Sequence, residues 1–394
     1  MEKKIIERKR KNNMKKGIML KTMWIYAIVF LTSYITVGAE TGDFNSVNSN
    51  RFPEILNMIS TRVRNNYEGI KTWEGQVNVK KNYIYEGARA EKVFKEDTEN
   101  KGEIPRIIKE QRETIIEFSL DAERGFLYEN YYPIKPLEYT DIETGRELGA
   151  KGILSSGRAI LTPEYQVDCT GYMRRDNVII KRRAVKQARP KNCLKCDSNM
   201  HPIYDPRTSF NKGFKDQIWE LFHDLLEIIE KDGKYSIDQH ELKVEEFSTG
   251  DITEYRVTMP SRVGSRENYQ YAYSTMIFNS DKGYNITSYK YTVDNIVVRN
   301  NTWDYELIDG IYVPIKTNQK DFNWPDGVLR YESIVTFKNQ NINIPIAIDT
   351  FTFKNLGLKN GDEYIDNIDK KTYKYQDAKL VFISDLSAGA EPNN

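Results

Sequence analysis

Residues 302–317 read TWDYELIDGIYVPIKT, and this short stretch decides the fold class. Asp304-Tyr305-Glu306-Leu307 and Ile311-Tyr312-Val313-Pro314 are strand-like runs that bracket Ile308-Asp309-Gly310. An Asp-Gly pair between two such runs marks a tight hairpin, because its turn positions need the positive φ that these residues tolerate best. Pro314 has no N–H to give a neighbour, so the return strand is expected at a sheet edge or at its own end.

The same pattern extends outward from the hairpin. Strands are predicted at 240–248, 252–260, 269–279, 284–293, 295–307, 311–318, 328–338 and 347–354. Thr249-Gly250-Asp251, Ser280-Asp281-Lys282-Gly283 and Pro325-Asp326-Gly327 supply further turns. Strands that follow one another without helices between them predict an antiparallel meander rather than βαβ units. The 26 Tyr and 16 Phe suit a half-buried pleated surface, and the frequent Asn, Asp and Gly suit its turns.

Before the meander, Phe52-Pro53 opens a helical pattern in which Ile55, Leu56, Ile59 and Val63 share one face. Pro53 fits the first turn, where its missing N–H is of no consequence. The helix is expected to end near Tyr67-Glu68-Gly69, and KTWEGQVNVK (71–80) follows. There Trp73, Val77 and Val79 fall on one parity and Glu74, Gln76, Asn78 and Lys80 on the other, the mark of a strand with one dry and one wet face. Further strands are predicted at 113–120 and 126–132. A second helix is predicted over 211–231, with Phe214, Ile218, Phe222, Leu225 and Ile229 as its apolar stripe and Gly233 as its stop. Residues 133–208 hold several prolines, a basic cluster and all three cysteines, show no readable period, and are expected to form an irregular insertion.

Four stretches carry a family resemblance: the helix EILNMISTRVRNNYEGI, the strand KTWEGQVNV, the hairpin at 302–317, and FTFKNLGLKNGDEYIDNIDKKTYK at 351–374. Together they resemble exported bacterial proteins of the outer-membrane lipoprotein carrier-like superfamily, in particular its long planctomycete-type branch. The resemblance covers about half the chain. It implies a mainly β (α+β) fold, an incomplete antiparallel β-barrel curled around amphipathic helices, occupying 51–384 with the Cys-containing insertion at 133–208. It also implies a cavity that holds a lipid or a lipoprotein acyl chain. The chain departs from the carriers in being far longer and in its inserted 133–208 segment.

The residues themselves require only that an amphipathic helix and a one-sided meander cover an apolar face. Alternation leaves two alternatives open, a filled core and a ligand cavity. On the cavity reading, Trp73, Val77, Val79, Tyr83, Trp303 and Tyr305 are the lining candidates. On the other they are ordinary core and cross-strand pairs.

The N-terminus predicts the compartment. A basic stretch to Lys21, an apolar run from Trp24 to Ile35 and small residues at Val37-Gly38-Ala39 have the layout of a secretory signal peptide. The apolar run is too short for a comfortable span of about 20 residues. Residues 1–39 are therefore expected to be a signal peptide, with Met14 or Met19 as alternative starts, 40–50 a flexible leader and 385–394 a disordered tail. No cysteine marks a lipid-anchor site there. Taking away residues 1–39 removes nine of 58 basic and two of 57 acidic residues, leaving 49 against 55, a net charge of −6. An exported, mildly acidic chain has no global attraction for nucleic acid.

Signals for chemistry are sparse. Cys169, Cys193 and Cys196 are disulfide candidates in an oxidising compartment, while C-x-x-C at 193–196 with Cys169 and His201 leaves zinc or redox chemistry as alternatives. Asp197 excludes haem attachment, since a His must follow the second cysteine. Arg174, Arg175, Lys181, Arg182, Arg183, Lys186 and Arg189 form a basic segment that suits either plain solvation or contact with an anionic membrane surface or an acidic partner. Asp362, Glu363, Asp366 and Asp369 lack the ligand spacing of a calcium loop and read as a solvated turn. There is no G-x-S-x-G, H-E-x-x-H or P-loop and only three histidines, so no cofactor, no metal and no catalytic residues are expected. The resulting expectation is an exported, non-enzymatic protein that binds a lipid or other hydrophobic ligand in the periplasm or cell envelope. The alternative is a cell-envelope interaction module with a filled core and a basic contact segment.

Overall fold

The computed structural model describes residues 44–99, 102–134, 137–150, 155–173, 179–188, 218–265 and 268–386. The predicted signal peptide, residues 40–43 of the leader and almost all of the predicted tail lie outside them, whereas 44–50 of the leader are described and hold a two-residue strand and the start of a 3-10 turn. The chain divides into Met1–Asn45 and Ser46–Asn394, and the helices and all the long strands belong to the second unit.

Three helices and 20 strands are described. Helix α1 (Phe52–Glu68) buries the predicted Ile55, Leu56, Ile59 and Val63, with Pro53 in its first turn. Helix α2 (Gly87–Asp97) was not signalled, because only Ala90, Val93 and Phe94 are buried along its 11 residues. Helix α3 (Ile218–Asp232) buries Ile218, Phe222, Leu225 and Ile229, the predicted stripe; Phe214 lies outside the described residues. The strands are β1 (Asn45–Ser46), β2 (Thr72–Glu86), β3 (Ile107–Asp121), β4 (Phe126–Pro133), β5 (Glu138–Asp141), β6 (Ser155–Leu161), β7 (Tyr165–Met173) and β8 (Ile179–Ala188). After α3 come β9 (Ser236–Ile237), β10 (His240–Glu241), β11 (Lys243–Thr249), β12 (Ile252–Gly264), β13 (Tyr269–Asn279), β14 (Asn285–Val293), β15 (Ile296–Ile308), β16 (Ile311–Phe322) and β17 (Leu329–Ile342). The last three are β18 (Glu363–Asp366), β19 (Lys371–Gln376) and β20 (Lys379–Asp385).

The meander is as predicted: β11 through β17 pair antiparallel in sequence order. Strand β17 then pairs with β2, and β2 with β3. The far edge of β3 is shared by β4 and β5, and β4 continues through β6 and β7 to β8. A parallel ladder joins β8 to β18, after which β19 and β20 close the series. The result is one mixed 18-stranded sheet that does not close into a barrel.

Three local expectations change. The hairpin turn is Asp309-Gly310, at φ 51° and 76°, but β16 is an interior strand. It tolerates Pro314 because the register shifts between Asp304 and Tyr305 and because pairing with β17 begins only at Lys316. The strand predicted at 347–354 is replaced by two 3-10 turns, Ile348–Phe351 and Phe353–Leu356. Thr352 Oγ1 and Asn355 Nδ2 both donate to the Asp349 carbonyl at 2.8 Å, a local alternative to a ladder. The described part of 133–208 is largely strand, not irregular. Ala159, Ile160 and Leu161 are all buried, so β6 has no wet face whose alternation could be read.

The two faces of β6 lead to two cores. Leu161 belongs to the main cluster, in which α1 and α3 cover the inner face of β2, β3 and the meander. Trp73 lies between Phe118 and Phe337, each ring centroid 5.5 Å away, and Phe222 of α3 meets Phe278 at 5.4 Å. Each such side chain contributes about 1.5–3 kcal/mol through burial. Ile160 instead joins Val167, Cys169, Ala184, Phe351, Leu356 and Tyr364 on the opposite face. The 3-10 segment covers that second cluster.

Candidate functional site

Where the 3-10 segment crosses β6, β7, β8 and β18 it leaves a cavity of about 610 Å³. Its walls are aromatic: Tyr165, Phe351, Phe353, Tyr364 and Tyr373 all face it, and Asp349 and Lys354 stand exposed on the segment that covers it. Strand register sets the floor. Val167 lies opposite Lys186, and Lys186 opposite Asp366, so three adjacent strands present one row of side chains.

The row contains an ion pair. Lys186 Nζ lies 2.8 Å from Asp366 Oδ2 and 5.0 Å from the Tyr165 ring centroid. Asp366 Oδ1 accepts the backbone N–H of Ile368 (2.9 Å) and Asp369 (3.0 Å). Burial raises the Asp366 pKa, but the Lys186 hydrogen bond and the two N–H donors outweigh it and hold the carboxyl below its ordinary range. Burial lowers the Lys186 pKa, and hydrogen bonding and attraction to Asp366 reverse that into a net rise. Tyr364 is pushed up by burial and then by the charge of Asp366, so its phenol stays neutral.

The arrangement combines flat apolar walls with a charged floor. Rings offer flat apolar contact, and the ion pair offers one polar point at the floor. His223, of which 71% of the side chain is exposed, pairs with Glu227 on α3, and His240 bonds the Tyr273 hydroxyl, so neither lines this cavity. Among the described residues no group of three His, Cys, Asp or Glu is placed to hold a metal ion. Of the acids 362–369, Asp362 and Asp366 accept backbone N–H groups within their own turns.

The sequence-derived lining candidates lie elsewhere. Trp73, Val77, Val79, Trp303 and Tyr305 are buried in the main cluster beneath the helices. Tyr83 lines a separate cavity of about 220 Å³. Cys169 is buried in the second cluster, while Cys193 and Cys196 lie outside the described residues. Within the basic segment, Arg183 is exposed and Lys186 reaches the large cavity. Lys181 and Arg182 lie on β8, and Arg174, Arg175 and Arg189 lie outside the described residues. The aromatic walls had one sequence signal, the 351–374 stretch that carried the resemblance, which contains Phe351, Phe353, Tyr364 and Tyr373.

No family model matches the chain, and no curated protein matches it. Among solved structures, a DUF1329 family protein of Desulfovibrio piger is similar at 10% identity and a TM-score of 0.32, over 77% of this chain and 98% of that one. A porin-like protein of Bacteroides uniformis is similar at 6% identity and a TM-score of 0.17, over 67% and 97%. At these values neither likeness assigns a fold or an activity.

Proposed function

We propose that this protein is an exported, non-enzymatic binder of the bacterial cell envelope. It takes a small amphipathic ligand, a lipid or another molecule with an apolar body and one polar group, in the cavity beneath the 3-10 segment. One observation carries the reading: five aromatic side chains surround the Lys186–Asp366 pair in a cavity of about 610 Å³. That volume lies within the span of about 300–1,000 Å³ common for small-molecule sites. The apolar body rests on the rings and the polar group reaches Lys186. The signal-peptide layout of residues 1–39 supports the location.

The test is purification from the envelope, mass spectrometry of extracted ligand, and titration of the stripped protein with a fluorescent fatty acid. Saturable binding that weakens at least tenfold in Phe353→Ala and Lys186→Met supports the reading. Lipid-free protein that takes up no probe, or variants that bind as the wild type does, overturn it.

A further inference from the structure

Along β2 the inner face changes character. Trp73, Val77 and Val79 enter the helix-covered core, whereas Lys81, Tyr83 and Tyr85 continue the same parity beyond it. Across the ladders, Lys81 lies opposite Ser333 and Arg112, and Tyr83 opposite Tyr331 and Glu110. Here lies the cavity of about 220 Å³, walled by Tyr83, Tyr85 and Tyr331 with Arg89, Arg330 and Asp321 around it. The Tyr83 and Tyr85 rings are parallel within 5° at 6.3 Å, and Tyr83 and Tyr331 are 4.9 Å apart.

The carboxylates here are already engaged. Asp321, the only acid among the lining residues, accepts Arg299 Nε at 2.7 Å and a second Arg299 nitrogen at 3.3 Å, and Gln319 donates to both of its oxygens. Glu110 is buried, accepts the Tyr85 hydroxyl at 2.7 Å and pairs with Arg112. Arg89 and Arg330 are exposed, and among the described residues no carboxylate lies within 4.0 Å of either guanidinium. Arg89 instead sits 5.1 Å from the Tyr85 ring centroid. Lys81, nearby, has its pKa lowered by burial and then by Arg112, which fits a locally positive field. Burial raises the pKa of both Tyr83 and Tyr331, the latter to about 12, so both phenols remain protonated donors at neutral pH.

We propose that this notch is a second binding site, one for an oxyanion carried on a flat apolar body, such as an aryl phosphate or an aryl carboxylate. A guanidinium presents two parallel N–H donors that match such an anion, and tyrosine faces accept a flat body. Arg89 and Arg330 take the anion, and Tyr83, Tyr85 and Tyr331 take the body. None of the residues of the larger cavity takes part, so the two sites stand or fall separately.

The experiment is calorimetric titration of the full chain with phenyl phosphate, benzoate, inorganic phosphate and phenol. Phenyl phosphate or benzoate should bind at least tenfold more tightly than inorganic phosphate and phenol, and more weakly as salt rises. Which of the two binds tighter distinguishes a phosphate ester from a carboxylate. Arg89→Ala/Arg330→Ala should reduce that binding at least tenfold while leaving the melting temperature and fatty-acid uptake unchanged. If the double variant unfolds, Arg330→Ala alone decides on the same criterion. Equal affinity for all four probes, no binding of either aryl anion, or unchanged binding in a folded variant overturns the proposal.

Discussion

Lys186 Nζ lies 2.8 Å from Asp366 Oδ2 across the parallel ladder that joins β8 to β18. The two residues are 180 positions apart in sequence, and their pairing fastens the last three strands to the rest of the sheet at the cavity floor. Only 6% of the Asp366 side chain and 20% of the Lys186 side chain is exposed, so solvent screens the pair weakly.

Removing either charge should therefore be felt. Asp366→Asn keeps an oxygen for the Ile368 and Asp369 N–H groups but leaves Lys186 unpaired, and should cost about 2 kcal/mol at pH 7. The carboxyl is held below its ordinary range, so its contribution is complete above about pH 5 and declines as pH falls through its own titration. Lys186 is raised, so its share persists at neutral pH and is lost only as pH climbs past its ordinary value of about 10.4. Urea denaturation at pH 3, 7 and 11 should show the wild type and Asp366→Asn converging at both extremes. A constant gap would contradict the pairing.

Asp168 predicts the opposite slope. Burial pushes its pKa up to about 6, only partly offset by the Gln166 amide that donates to it at 2.6 Å. Between an unfolded value near 3.9 and that raised value, the native state holds more protons than the unfolded one, so stability falls as pH rises. Asp168→Asn should be more stable than the wild type by about 2 kcal/mol at pH 8 and indistinguishable from it at pH 3. Denaturation at the two pH values checks this, and a stability loss at pH 8 would place a cation beside Asp168.

The contrast between Asp309-Gly310 and Ala159-Ile160-Leu161 shows what the sequence could and could not convey. The hairpin was legible because its turn demands positive φ at two positions and its chemistry advertises that. The faces of α1 and α3 were legible because their other sides are wet. Strand β6 was not, since it separates two apolar clusters and alternates nothing with water. The candidate site was illegible for a different reason. It arises where a 3-10 segment meets strands from remote parts of the chain, and no local period records that meeting. The six proposed lining residues followed the clearest alternation, and clear alternation marks a face that packs; five of them are core.

Gly157 of β6 is a test of close packing within the sheet. A Cβ there would stand 2.4 Å from the Tyr131 hydroxyl oxygen and 2.8 Å from the Cys169 carbonyl oxygen, closer than atoms approach without displacement. One of the two is backbone, which cannot swing aside. Gly157→Ala should destabilise the protein by about 2–3 kcal/mol. A melting temperature equal to that of the wild type would mean that β6 and β7 leave more room than this geometry allows.

Phe222 on α3 separates the core from the cavity. Its ring is fully buried against Phe278 in the main cluster, and neither residue lines either cavity. Phe222→Ala should cost about 3–5 kcal/mol, since the helix and sheet relax only partly into the space left. If the helix-covered face is a packed core and the ligand sits beneath the 3-10 segment, fatty-acid affinity in the folded variant should match the wild type within twofold. Phe353→Ala should do the reverse, weakening the probe at least tenfold with a smaller stability change, because Phe353 is only partly buried. Denaturation and probe titration on both variants decide between the two faces. Loss of probe binding in Phe222→Ala alone would return the ligand to the helix-covered face, where Trp73, Val77 and Val79 would line it.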